Sequence, residues 1–181
     1  MSNQAINIEQ LMERLGDSGV TILLKVDHER TAERRKPWTI VMSGPSMGEG
    51  EFLHTDCHTL DNCLEYGLGE LRAGPGDWKW LDGLNSVDVE RLLLLMGIQA
   101  IIDIEQLMER LGDSGVTICL KIDHERTAER CNPWAISMSG PGVGNNEGIY
   151  AEFRTLADCL EYGLGELRAR PGDWKWLDEL F

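Results

Sequence analysis

Basic residues are what this chain has least of: 17 Lys+Arg stand against 31 Asp+Glu in 181 residues, a formal net charge of -14 at pH 7. The deficit is even, with 8 basic and 14 acidic residues in 1–84 and 8 and 15 in 101–181. An evenly acidic surface repels phosphate backbones and anionic lipid, so direct nucleic-acid or membrane binding is not expected, and a basic protein partner is favoured. Paired cysteines are also missing. Cys57, Cys63, Cys119, Cys131 and Cys159 are odd in number and form no Cys-x-x-Cys, which argues against a disulfide framework, a zinc site or any other metal centre. The longest unbroken apolar run is Leu92–Met96, far short of a membrane span, and MSNQAINIEQ has neither the basic start nor the apolar core of a signal peptide. A reducing cytoplasm is the expected setting. The glycine-rich stretches at 43–48 and 139–144 lack the Lys-Ser/Thr of a phosphate-binding loop, so no cofactor is expected there.

What is present is one domain written twice. Ala5–Leu84 and Ile101–Leu180 align at a constant offset of 96 without a gap, and 57 of 80 positions are identical. The stretch CLEYGLGELRAGPGDWKWLD at 63–82 returns at 159–178 with one change, Gly74 to Arg170. This predicts a first unit at 1–84, a linker at 85–100 and a second unit at 101–181. Units of this size sit near the lower limit for a self-sufficient core, so each is expected to lean on something.

Within the first unit, Asn7 and Gln10 have capping-box spacing, and Ile8, Leu11, Met12 and Leu15 fall on one helical face before Gly16. Alternation predicts a strand through Val20, Ile22, Leu24 and Val26, and another after Pro37 with Trp38, Ile40 and Met42 inward. A third strand is placed at 51–58, its inward set being Leu53, Thr55 and Cys57. Thr59 then caps a helix whose apolar stripe includes Leu60, Cys63, Leu64, Gly67, Leu68 and Leu71, stopped by Pro75. Gly67 and Gly69 imply close approach by another element. The linker, with leucines on all sides, reads as a buried helix. The fold class is therefore α+β: two tandem α-β-β-β-α units, each a three-stranded antiparallel sheet with two helices on one face. That element order resembles the double-stranded-RNA-binding domain. The family's phosphate-gripping lysines at the start of the second helix are replaced here by Asp61 and Asp158, so its function does not carry over.

Candidate binding residues lie on loops and outer faces. The stretch DHERTAER recurs unchanged at 27–34 and 123–130, in a hairpin connection longer than pairing needs, and offers Arg30, Arg34, Arg126 and Arg130 to a partner. Adjacent residues at a strand end point to opposite faces, so Asp27, His28 and Glu29 are not expected to converge as a catalytic or metal site. His54, Asp56 and His58 share a strand face but become Tyr150, Glu152 and Arg154 in the other unit. Trp78 and Trp80 lie two apart and cannot share a face, so Trp80 and its counterpart Trp176 are candidate interface anchors. Leu23, Val41, Phe52, His54 and Tyr150 fall on the sheet face away from the helices, where the copies differ most. In the first unit this face is the more apolar, as a surface meeting another chain or the second unit would be.

The expected function is a non-enzymatic acidic protein-binding module, its most concrete form an inhibitor, of immunity or anti-defence type, of a basic nucleic-acid-handling protein. The alternatives are a self-assembling structural protein, with a homodimer as the simplest case, and a small enzyme using His28/His124 with Glu29/Glu125 as acid-base pairs.

Overall fold

A computed structural model describes residues 8–83, 103–144 and 148–179; the expected linker helix at 85–100 and the Asn7 cap lie outside them. The first half runs α1 (Ile8–Asp17), β1 (Thr21–Val26), α2 (His28–Ala32), β2 (Trp38–Ser43), β3 (Phe52–Cys57) and α3 (Leu60–Ala73). The second repeats it as α4 (Ile104–Asp113), β4 (Thr117–Ile122), α5 (His124–Ala128), β5 (Trp134–Ser139), β6 (Ile149–Phe153) and α6 (Leu156–Arg168). Short 3-10 turns at Lys79–Gly83 and Lys175–Glu179 follow the last helix of each half.

The two three-stranded sheets expected from the sequence are one sheet. Its order is β3-β2-β1-β4-β5-β6, antiparallel throughout, because β1 pairs with β4 across the middle. The register Ile22↔Ile122, Leu24↔Leu120, Val26↔Ile118 puts a pseudo-two-fold axis at Leu24 and Leu120. A three-stranded unit whose β1 lies at one side leaves that edge unpaired, and joining two such edges satisfies both sets of backbone groups at once. The units thus meet edge to edge, and the first unit's outer sheet face is not spent on the second.

Alternation decides which face the helices cover. Ile22, Leu24, Val26, Ile40 and Met42 are fully buried under the helices, as are Ile118, Leu120 and Ile136. The hydroxyl of Thr59 accepts from the Asn62 N–H (3.2 Å), and Thr155 does the same for Asp158 (3.1 Å), starting α3 and α6 where the sequence placed the cap. Gly67 answers the expectation of close approach, since a Cβ there would lie 2.8 Å from Met42 Cε. Gly69 does not, because a Cβ there would meet nothing within 4 Å.

Candidate functional site

The repeated DHERTAER stretch forms a short helix rather than an open hairpin loop. Asp27 takes the N-cap position, its Oδ1 accepting from the Glu29 and Arg30 N–H groups at 3.1 and 3.3 Å, while Oδ2 holds Lys25 Nζ at 2.7 Å. Burial pushes the Asp27 carboxyl up, but these bonds and the Lys25 charge outweigh it and hold it below the usual carboxylate range; Asp123 behaves alike. The helix ends with Arg34 N–H bonded to Thr31 O and Arg35 N–H to Arg30 O, a Schellman closure that places Arg34 at φ 53, with Arg130 at φ 55. Glycine is the usual occupant of that left-handed position, and both halves keep arginine.

The stretch divides its side chains between the seam and the outer sheet face. On the seam side, Thr117 Oγ1 accepts from the His28 N–H (3.1 Å) and lies 2.8 Å from His28 Nδ1; His124 and Thr21 repeat the pair at 3.1 and 2.8 Å. Thr31 packs where a Cβ on Gly112 would be, and Thr127 does so at Gly16, which lets α2 lie against α4 and α1 against α5. Asp27, His28 and Glu29 therefore do different things: one caps, one bonds across the seam, and Glu29 points to solvent. Sequence reasoning missed Thr21, Thr117 and the two glycines as seam residues, because small and hydroxyl side chains carry no periodic signal of their own. Two further cross-half bonds were missed. Glu105 Oε1 accepts the Leu60 N–H (3.3 Å) at the start of α3, and Glu9 does the same for Leu156 at the start of α6. Burial raises both carboxyls, with Asp61 adding to it at Glu105 and Glu13 at Glu9.

On the outer face, Arg30 Nη1 reaches Asp56 (2.6 Å), whose Oδ1 also accepts from Thr39 (2.7 Å). Burial raises Asp56, but the Thr39 and Arg30 bonds bring it below the usual carboxylate range. In the second half Ala135 replaces Thr39, and Glu152 instead takes Arg126 and the Tyr150 hydroxyl, which lower it. Lys25 and Lys121 are matched by Asp27 and Asp123, each at 2.7 Å. Every cation on this face so far named has an anion beside it. Leu23 and Val41 are neighbours here and half-buried, whereas Phe52 and Tyr150 are 67% and 63% exposed near opposite edges. His54 lies beside Val41 with Nε2 3.8 Å from Asp56. Arg30, Arg34, Arg35 and Lys36 with Asp56 and His58 rim a shallow basic hollow of 580 Å³ at one corner. Cys131 and Asn132 replace Arg35 and Lys36 in the other half, so the hollow belongs to the first.

The helical layer is charged differently. α1, α3, α4 and α6 together carry twelve carboxylates and four arginines. Those arginines lie over or beside the tryptophan turns. Arg14 and Arg110 stack over Trp80 and Trp176 at 4.2 and 4.3 Å, and Arg72 and Arg168 donate to Leu81 O and Leu177 O at 2.9 and 3.2 Å. Trp78 and Trp174 are the buried members of their pairs, as the spacing requires, and Trp80 and Trp176 lie half-buried under the arginines. The thiols of Cys119 and Cys159 are pushed up to about 11 by burial, and burial together with Cys57 raises Cys63 further, so these thiols stay protonated at neutral pH.

Set beside known proteins, the chain matches no family model, no curated protein and no solved structure.

Proposed function

We propose that this chain is a non-enzymatic binding module that holds a basic protein, in the manner of an inhibitor that occupies a nucleic-acid-binding surface. The observation that carries the reading is the charge difference between the two faces. On the sheet side Lys25, Lys121, Arg30 and Arg126 are each neutralised locally, whereas the helices expose carboxylates whose nearest arginines are turned to the tryptophans. Paired charges contribute little field beyond their own contact; unpaired like charges on one face add up and steer a cationic partner. Rows of exposed carboxylates on rigid helices present the kind of field that a phosphate backbone presents to a basic groove.

The test is a charge reversal, Asp17→Lys with Asp113→Lys and Glu65→Lys with Glu161→Lys, measured against a purified basic partner at several salt concentrations. The reading expects slower association, weaker binding and a shallower salt dependence in these variants. Affinity indifferent to salt and to these four changes refutes it. A second reading, self-association through the outer sheet face, is favoured by the exposure of Phe52 and Tyr150. Light scattering on Phe52→Asp decides it: this reading expects wild-type mass to rise with concentration and the variant's to stay low, and an unchanging wild-type mass removes it.

A further inference from the structure

Resting on the reading of a basic partner, we infer that the free edge of β3 is the place where an extended Lys- or Arg-rich segment of that partner docks, adding a strand to the sheet. Strand β3 ends the sheet and among the described residues has β2 as its one neighbour, so its outer backbone groups face away from any partner strand. Its sequence, FLHTDC, holds none of the lysine or proline that commonly blocks such an edge. A groove of 610 Å³ runs beside it, touching the consecutive residues Phe52, Leu53 and His54. Consecutive strand side chains alternate between faces, so a hollow reaching all three lies along the strand's edge. The far wall is α3, which contributes Tyr66 and Glu70 one helical turn apart, and the end is closed by the turn carrying Glu49 and Glu51.

The chemistry of the lining selects the occupant. Phe52 is 67% and Tyr66 50% exposed, surfaces on which the aliphatic stems of lysine or arginine can lie. Glu49, Glu51 and Glu70 are exposed and have no ion-pair partner among the described residues, so three carboxylates face the groove uncompensated. Backbone pairing along β3 supplies affinity to any extended chain, and the carboxylates restrict it to a cationic one.

The other half presents a different edge. Phe153 stands where the first half has the smaller Cys57, and its ring packs on Tyr162, the counterpart of Tyr66, at 5.5 Å between centroids. Gly148 replaces the Phe52 wall, and Arg170 brings a positive charge where the first half has Gly74. One docking edge per chain is therefore expected, on β3.

The test uses an acetylated, amidated pentapeptide alternating lysine and valine, with its glutamate-valine analogue as control, titrated by calorimetry into the full chain with amide shifts followed by NMR. The expected result is one site per chain for the lysine peptide, shifts centred on Phe52 to His54, and no heat from the glutamate peptide. Glu70→Lys weakens binding by about tenfold, Phe52→Ala weakens it, and Glu166→Lys, the matching position on α6, leaves it unchanged. Equal loss from Glu70→Lys and Glu166→Lys, shifts confined to the helices, or no lysine-peptide binding overturns the groove. Affinity for the whole partner that still falls with Asp17→Lys and Asp113→Lys then shows the acidic-face reading surviving without it.

Discussion

The centre of the sheet and its two ends have been treated differently since the repeat arose. At the centre, β1, β4 and the DHERTAER helices differ between copies at only Leu23/Cys119 and Val26/Ile122. At the ends, no residue of β6 matches its counterpart in β3. The seam explains the first pattern. Each copy of His28, Thr31, Thr21 and Gly16 touches the other half, so a change in one copy strains a contact in both. Among the described residues the end strands β3 and β6 pair only within their own half, where no cross-half bond constrains their sequences. Part of the identity in DHERTAER is thus accounted for by the seam; the exposed Glu29, Ala32, Glu33 and Arg34 and their copies are not, and of these Arg34 and Arg130 are left-handed in both copies.

The comparison can be broken most severely at the dyad. Leu24→Ala, made where β1 meets β4 in a site with no exposed surface, should cost about 2–5 kcal/mol in chemical denaturation. A loss no larger than that of an edge substitution such as Thr55→Ala would mean that the seam does not hold the halves together. Gly112→Ala comes next: its Cβ would lie 2.9 Å from Val26 Cγ1 and 3.0 Å from Thr31 Oγ1, and overpacking of this kind costs about 1–3 kcal/mol. Thr117→Val removes the acceptor for the His28 N–H and should lower stability by about 1 kcal/mol, roughly additive with Thr21→Val at the other end of the seam.

Away from the seam the sign reverses. Gly69→Ala adds a methyl group in open space on a helix and should raise stability by about 0.5–1 kcal/mol, seen as a higher melting temperature, and Gly165→Ala should match it. The smallest effects are in pH dependence. Asp56 has a depressed pKa, so its stabilisation is present above the ordinary carboxylate range and lost as pH falls through its folded value. Glu9 and Glu105 are raised, so stability drops as pH rises from their ordinary value through the folded one. Urea midpoints should therefore show Asp56→Asn less stable than wild type at pH 7, Glu9→Gln with Glu105→Gln more stable there, and both differences closing in acid. Gln replacements that instead weaken the fold at neutral pH would show that the caps on Leu60 and Leu156 outweigh the burial of their charge.

Several features were legible in the residues alone. Period-two alternation in TILLKV and WTIVMS marks which side of each strand is apolar, and those sides are the buried ones. Thr59 ahead of an apolar helical stripe marks a helix start, and the spacing of Trp78 and Trp80 says that one ring at most enters the core. The candidate site was only half legible. The sequence pointed to DHERTAER as a unit, yet whether an arginine in it is pinned, as Arg30 is by Asp56, or exposed, as Arg34 is, depends on a strand reached some 20 residues later. The even charge along the chain likewise concealed that α1, α3, α4 and α6 carry twelve of the carboxylates against four arginines.

By itself the sequence determined two copies of a helix, three strands and a helix, with the apolar side of each element set by side-chain period. Only the tertiary structure decided that β1 and β4 join the copies into one sheet and that, among the described residues, β3 stands at its end. The physical reason is that strands pair through backbone N–H and C=O groups, which every residue but proline carries alike, so nothing in side-chain order names the neighbour across an edge.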